Sequence, residues 1–435
     1  MEGLLVVLFF LILLFFNVPV AISLGVSSFI YIILFSPIPA SMVIQAFVTG
    51  LDSFTLLGVP FFILAGDIMM QGGISKRLIR FCTALVGGII GSMGMITVLA
   101  SLIFGSISGS GPATVASIGR VAIPAMVKEK YDRGFACALS AASGAFGPLI
   151  PPSIVMIVFG VIAQQSITAL FMAGILPGML VAISLMIFAY FSAKKHKFGL
   201  KMNPELKESM QTENITIWGT FKDAIWAMLC PVIILGGIYS GTFTPTEAAI
   251  VACVYGLVVG VFVYKEIKLR DIPKIFKSAV ATNGTILILV SCATAFGRVL
   301  AMEQVPAALA SALTEISQNP IVILLLINLL LLTLGLFMET LSALIILTPI
   351  LLPVVTNLGI HPIHFGIIIT MNLAIGQSTP PTGVNLFVAA RVGECKVEDI
   401  LKWLLSPMLV LILVLQILTY IPFISMTLPR LFGMI

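Results

Sequence analysis

The chain has 435 residues, 59% of them hydrophobic and 9% charged, with a formal net charge of +5 and a mean hydropathy of +1.17. A typical soluble domain is about 25% charged, so this chain cannot cover a water-facing surface with polar groups. Soluble enzymes, secreted disulfide scaffolds and disordered regulators are excluded, and an integral membrane protein remains, with room for at most roughly 15 crossings of about 20 residues each.

In chain order, apolar runs cover 3–16, 19–36, 53–72, 81–104, 112–127, 134–146, 153–173 and 174–193. The run 3–16 is short, so residues 1–36 read as one long tilted helix or as two. Met1-Glu2-Gly3 has no basic region of the kind that opens a cleavable signal, so the first run is expected to be retained. A polar stretch from Lys194 to about Asp223 follows, with Lys194, Lys195, Lys197, Lys201, Lys207 and Lys222. It reads as a cytoplasmic linker. The second half then runs 224–240, 245–263, 279–301, 306–334, 342–356, 363–375, 383–393 and 403–428.

The two halves share landmarks. Pro124 recurs as Pro353, Gly147 as Gly376, and Pro151-Pro152-Ser153 as Pro380-Pro381-Thr382, all at an offset of 229. Pro177 and Tyr190 recur as Pro407 and Tyr420 at 230. We read 81–127 and 306–356 as re-entrant hairpins, and 134–163 and 363–393 as helices broken in the middle. Each half, 1–193 and 224–435, then crosses five times, ten in all, and the odd number inverts the second repeat. On that reading 20 of the 23 Lys and Arg residues fall on the cytoplasmic side, the exceptions being Arg120, Arg298 and Arg430. Segments 39–51 and 266–278 occupy matching places. The second, with Ile267, Ile272, Ile275 and Phe276 between basic residues, reads as an interfacial amphipathic helix.

Four breaks rich in Gly, Pro, Ser and Thr sit at membrane depth: 104–114, 144–153, 335–340 and 376–385. Adjacent prolines and glycines do not continue a helix. In hydrocarbon, unpaired backbone groups cost several kcal/mol, so such breaks persist only within protein or against a wet cavity. Freed carbonyls and hydroxyls suit Na+. Half-helix N-termini, with free N–H groups, suit an anion. Cation ligands are therefore expected from Gly105, Ser106, Ser108 and Gly109 with Gly147, Pro148 and Pro151. A second set is expected from Gly335, Glu339 and Thr340 with Gly376, Thr379 and Pro380. Anion contacts are expected from Ser108, Ser110, Thr114, Ser153, Ser378, Thr382 and Asn385.

Ser108-Gly-Ser-Gly-Pro-Ala-Thr-Val-Ala116, Gly147-Pro-Leu-Ile-Pro-Pro-Ser153, Thr244-Pro-Thr-Glu-Ala-Ala249, Gly335-Leu-Phe-Met-Glu339 and Gln377-Ser-Thr-Pro-Pro-Thr-Gly-Val-Asn385 resemble the large membrane subunit of the tripartite ATP-independent periplasmic (TRAP) transporters, the DctM family. The resemblance covers nearly the whole chain. It implies an elevator-type secondary transporter in the bacterial inner membrane, driven by a Na+ gradient and without a further cofactor. It also implies a small four-helix membrane subunit, here expected as a separate chain, and a periplasmic binding protein that delivers an organic acid. Sialic acids, C4-dicarboxylates and keto-acids all remain open. A stand-alone Na+/carboxylate symporter or antiporter is the alternative. An intramembrane enzyme would need a nucleophile–base pair or a metal cluster at depth, and none is seen. No nucleic-acid-binding feature is found.

Of the charges within spans, Glu339 is expected to shape a cation site. Asp67 and Glu247 are expected in ion pairs or polar links, and Arg120 and Arg298 to pair or snorkel. His361 and His364 read as a solvated loop pair. The six cysteines show no CxxC spacing and read as small buried hydrophobes with no redox or metal role. Trp218, Trp226 and Trp403 read as interfacial anchors.

Overall fold

The computed structural model describes residues 4–36, 39–199, 217–317, 319–381 and 383–435. Among them every regular element is helical, as hydrocarbon requires of a chain that must pair its own backbone. The first half comprises α1 (Leu4–Phe15), α2 (Val20–Phe35), α3 (Ser41–Leu51), α4 (Gly58–Gln71), α5 (Ile74–Val86), α6 (Ser92–Ser108), α7 (Gly111–Lys128), α8 (Arg133–Ser143), α9 (Phe146–Leu149), α10 (Ile154–Ile162) and α11 (Ile167–His196). The second comprises α12 (Ile217–Tyr239), α13 (Pro245–Val258), α14 (Ile272–Met302), α15 (Val305–Ile316), α16 (Pro320–Gly335), α17 (Thr340–Asn357), α18 (Pro362–Gly376), α19 (Val384–Val392), α20 (Val397–Tyr420) and α21 (Pro422–Leu431). Seven of these helices, counting short helical turns continuous with them, are long and apolar enough to cross a membrane alone. The broken helix α8–α10, bent by 42°, makes an eighth.

Residues 4–36 form two helices, because Asn17 takes a positive φ of 60° and Pro19 follows it. The run 81–104 is divided at Gly87–Gly91, where Gly91 adopts φ 76°. The first hairpin is therefore α6 and α7, with amphipathic α5 leading into it. The run 306–334 is likewise divided between α15 and α16, where Asn319 caps α16 by accepting from the Ile321 amide at 2.9 Å. Helices also extend into the polar stretch at both ends, to His196 and from Ile217. The rest of it, 200–216 with Lys201 and Lys207, lies outside the described residues. The segment 266–278 is not a separate interfacial helix. It enters through a single turn, Leu269–Asp271, and continues as the 31-residue α14. Its counterpart α3 stops at Asp52-Ser53, whereas the matching positions, Ala279 and Val280, let the helix run on.

Helix starts repeat at the offset of the sequence landmarks. Gly111 and Thr340 open α7 and α17, and Arg133 and Pro362 open α8 and α18, each 229 apart; Ile154 and Val384 open α10 and α19, 230 apart. The packing is reciprocal. α10 of the first half lies on α17 of the second, and α19 of the second lies on α7 of the first. At the centre the buried rings of Phe159 and Phe365, one from each broken helix, meet edge to face at 6.4 Å. Around this central group, α1–α4 and α12–α14 form a frame, packing chiefly α13 on α4 and α14 on α2 and α3.

His364 is buried at 3% exposure, not solvated. α21 folds back over it, and its ring nitrogens lie 2.7 Å from Ser425 Oγ and 3.3 Å from the Thr419 carbonyl. The polar chain continues inward. Asn328 Nδ2 donates to Thr419 Oγ1 at 2.9 Å, and Asn372 Nδ2 donates to Asn328 Oδ1 at 2.8 Å. Each such bond contributes about 1 kcal/mol net, and its loss would leave a buried orphan. Glu247 forms no ion pair among the described residues; it is exposed and closes a capping box. Its carboxylate accepts from the Thr244 amide at 2.7 Å and from the Thr244 hydroxyl at 2.9 Å, so Thr244-Pro245-Thr246-Glu247 is a helix start.

Candidate functional site

The first tip turns at Gly109 (φ 60°) and re-enters helix at Gly111-Pro112, proline being favoured there because its missing N–H costs nothing. The second tip turns over Leu336–Met338, and Glu339 caps α17, accepting from the Leu341 and Ser342 amides at 2.9 and 3.1 Å. The two broken helices open beside these tips, each with a cis bond between its paired prolines, Pro151-Pro152 and Pro380-Pro381.

Each tip rests on the broken helix of its own repeat without side chains between them. A Cβ on Gly147 would collide with the Ser110–Gly111 peptide, and one on Gly376 would lie 2.7 Å from the Gly335 backbone. Across repeats, a Cβ on Gly111 would lie 2.6 Å from Gln377 Oε1 and 3.1 Å from Asn385 Oδ1. Both of those oxygens are buried and have no hydrogen-bond partner among the described residues.

Between the tips and the frame lies a cavity of about 280 Å³. Gly111, Ile154, Leu341 and Val384 line it, so the first turns of α7, α10, α17 and α19 converge on one space. Four half-helix N-termini direct their partial positive charge there. The walls also carry Ser108, Ser110, Gln377, Thr282, Asp67 and Glu339. Asp67 Oδ2 is buried and has no partner among the described residues. Gly66 beside it lets α4 approach the first tip, where a Cβ would sit 3.2 Å from the Ser108 carbonyl oxygen.

Of the residues expected to hold a cation, Ser108, Gly109, Pro148 and Glu339 line this cavity. Gly105, Gly147, Gly335 and Gly376 form the close backbone seats behind it. Ser106 donates to the Ile103 carbonyl at 2.7 Å; with Pro151 it faces a separate, largely apolar space of about 340 Å³ against α12. Thr340 donates to the Leu373 carbonyl at 3.3 Å, and Thr379, next to Pro380, to the Ile375 carbonyl at 2.8 Å. Of the residues expected to touch an anion, Ser108 and Ser110 line the cavity. Thr114 braces the tip, lying 3.0 Å from Ser108 Oγ and donating to the Ser110 carbonyl at 2.8 Å. Ser153 caps α10 through the Met156 amide at 3.3 Å. Ser378 joins the repeats by donating to the Ala141 carbonyl at 2.8 Å, and accepts from Asn385 Nδ2 of its own repeat at 3.1 Å. Thr382 lies outside the described residues. Arg120 and Arg298 are exposed and do not line the cavity. Asp67 and Gln377 were not assigned to the site from sequence. An acid within a span, directly after a glycine, was the available signal for Asp67.

Residues 6–424 match the family described as "Tripartite ATP-independent periplasmic transporter, DctM component". The chain belongs to this DctM family. It is 44% identical over 419 residues to the isethionate TRAP transporter permease protein DctMQ of Oleidesulfovibrio alaskensis, covering 96% of this chain and 65% of that relative's length. It is 41% identical to the sialic acid TRAP transporter large permease protein SiaM of Vibrio cholerae, covering 97% and 96% of the two chains. Identity is also 41% to the C4-dicarboxylate TRAP transporter large permease protein DctM of Pseudomonas aeruginosa, covering 95% of each. The fold is similar to that of the Alcanivorax borkumensis YdaH transporter, with a TM-score of 0.61 at 16% identity over 96% and 97% of the chains. DctM-family chains are transporter permeases, and this one is an all-helical, multi-pass membrane protein.

Proposed function

We propose that this DctM chain is the large permease subunit of a Na+-coupled importer of an organic acid anion in the bacterial inner membrane. It would work with a small membrane subunit and a periplasmic binding protein. The observation that carries the reading is the convergence of four half-helix N-termini on one 280 Å³ cavity, a field suited to an anion. Asp67, Glu339 and the oxygens of the first tip supply hard donors for the cation. A bound cation would offset the charge of Asp67 and Glu339, so that anion and cation favour each other's binding.

The two repeats are taken to be inverted, so that tips entering from opposite faces meet at the midplane. The hairpins and broken helices would then move as a block against the frame of α1–α4 and α12–α14. The relatives' printed substrates, isethionate, sialic acid and C4-dicarboxylate, share an anionic head, which is the part this cavity addresses.

Uptake by proteoliposomes is the test. Accumulation of a cognate acid is expected only with the small subunit, the binding protein and an inward Na+ gradient, and without ATP. Full transport by this chain alone would favour the stand-alone symporter. Equal uptake under a K+ gradient would remove Na+ coupling.

A further inference from the structure

Cys137 and Cys395 are 258 positions apart in the two repeats, yet their sulfurs lie 3.4 Å from each other. Cys137 is fully buried on α8, and Cys395 is partly exposed in the turn between α19 and α20. Two features hold the turn in place. Arg133, one helical turn before Cys137, donates to the carbonyls of Gly393 and Glu394 at 3.2 and 3.4 Å. The Cys395 amide donates to the Ala390 carbonyl at 3.1 Å. Gly393 leaves room for the sulfur, since a Cβ there would collide with Cys137 Sγ. The buried Cys253, by contrast, donates to the Phe61 carbonyl at 3.0 Å.

We propose that Cys137 and Cys395 form an oxidisable pair that closes to a disulfide by exchange with a small-molecule disulfide, stapling the broken helix of one repeat to the turn that follows the broken helix of the other. The accessible Cys395, as its thiolate, attacks one sulfur of the small disulfide and displaces a small thiolate, leaving a mixed disulfide. Cys137 then loses its proton, attacks the Cys395 sulfur and displaces the second small thiolate. Two protein thiols are oxidised and one small disulfide is reduced to two thiols, so electrons and protons balance. The sulfurs must close from 3.4 Å to a bond of about 2.05 Å. Burial raises the Cys395 thiol above its ordinary value while the nearby Arg133 opposes that rise. Exchange therefore accelerates as the medium is made more alkaline.

The full chain, purified in lipid nanodiscs, would be treated with oxidised glutathione, denatured, alkylated with a maleimide and mapped by mass spectrometry. Cys137 and Cys395 are expected to lose alkylation together and to yield one cross-linked peptide pair, lighter than the two free peptides by two hydrogens. A reductant should restore both. The Cys137→Ser chain should stop at a glutathione adduct on Cys395, and the Cys395→Ser chain should leave Cys137 alkylatable. The oxidised wild-type chain should melt at a higher temperature than the reduced one, a difference absent from both variants. A wild-type chain carrying glutathione on Cys395 with Cys137 still free would overturn the pairing. A cross-link without a change in melting temperature would overturn the staple.

Discussion

Gly335 and Gly376 meet backbone to backbone: a Cβ built on Gly376 would lie 2.7 Å from the Gly335 Cα, carbonyl carbon and oxygen alike. The second hairpin tip can rest on its broken helix only because neither residue carries a side chain. Gly147 gives the first tip the same seat against Ser110 and Gly111. Both tips are thus held at the cavity by absent atoms, and one methyl would lift either.

Gly376→Ala and Gly147→Ala are therefore expected to impair uptake far more than Gly236→Ala, whose added methyl meets nothing within 4 Å among the described residues. Overpacking costs about 1–3 kcal/mol, which corresponds to roughly 5–150-fold in an equilibrium. Initial rates in proteoliposomes with matched protein content read the effect. Rates for Gly376→Ala and Gly147→Ala equal to that of Gly236→Ala would mean that the tips are seated by something else.

Asp67 faces the cavity with one buried carboxylate oxygen lacking a partner among the described residues. If a cation completes that oxygen's coordination, Asp67→Asn should shift the Na+ titration of uptake to higher concentration by tenfold or more. Ser108→Ala should shift it less, because that hydroxyl already lies 3.0 Å from Thr114 Oγ1. An unchanged Na+ midpoint in both variants would place the cation outside this cavity.

Glu129, in the turn between α7 and α8, is buried at 6% exposure, and its Oε1 has no partner among the described residues. The start of the polar stretch covers it, with the Gly199 amide donating to the Glu129 carbonyl at 3.3 Å. Burial pushes the carboxyl from its ordinary 4.5 up to about 7. A raised folded pKa means that the native chain binds the extra proton. The resulting stability is present in full below about 4.5 and is lost as pH rises through about 7. Thermal melting in nanodiscs should fall across that window in the wild type, and Glu129→Gln should flatten this component. A Glu129→Gln profile identical to the wild type would place the titration elsewhere.

The helix breaks were legible because Gly and Pro act locally: the paired prolines and the Gly109 turn interrupt helices whatever surrounds them. Boundaries within continuous apolar runs were less so. Leucine and isoleucine look alike on both sides of Gly87–Gly91, and only the glycine conformation divides α5 from α6. Side-chain roles were harder still. Ser378 is spent joining the repeats through the Ala141 carbonyl, a long-range geometry that no spacing encodes, and Asn385 Nδ2 is spent on Ser378. His364 became a core residue because α21 returned over it. Glu247 was the opposite case. Thr-x-x-Glu with proline at the first helical position is a local capping signal, but its intramembrane surroundings pointed to an ion pair instead.

The orientation of the repeats makes the last prediction. Lys128 and Asn357 are the final residues of α7 and α17, 229 apart, and both are exposed. A parallel duplication puts them on one side of the membrane, and an inverted one puts them on opposite sides. Single cysteines at these positions, placed in a chain whose native cysteines are replaced, should therefore label differently in intact cells whose outer membrane is permeable. Asn357→Cys should react with an impermeant maleimide from the periplasm. Lys128→Cys should react only after the inner membrane is opened. The basic residues Lys128, Lys130 and Arg133 cluster on that first turn, while the matching turn from Asn357 to Pro362 carries no Lys or Arg. This is the asymmetry by which short loops are sorted. Labelling of both cysteines from the same side would abolish the inversion. With it would go the reason for two tips to meet at the midplane, and the cavity between α7 and α17 would need another explanation.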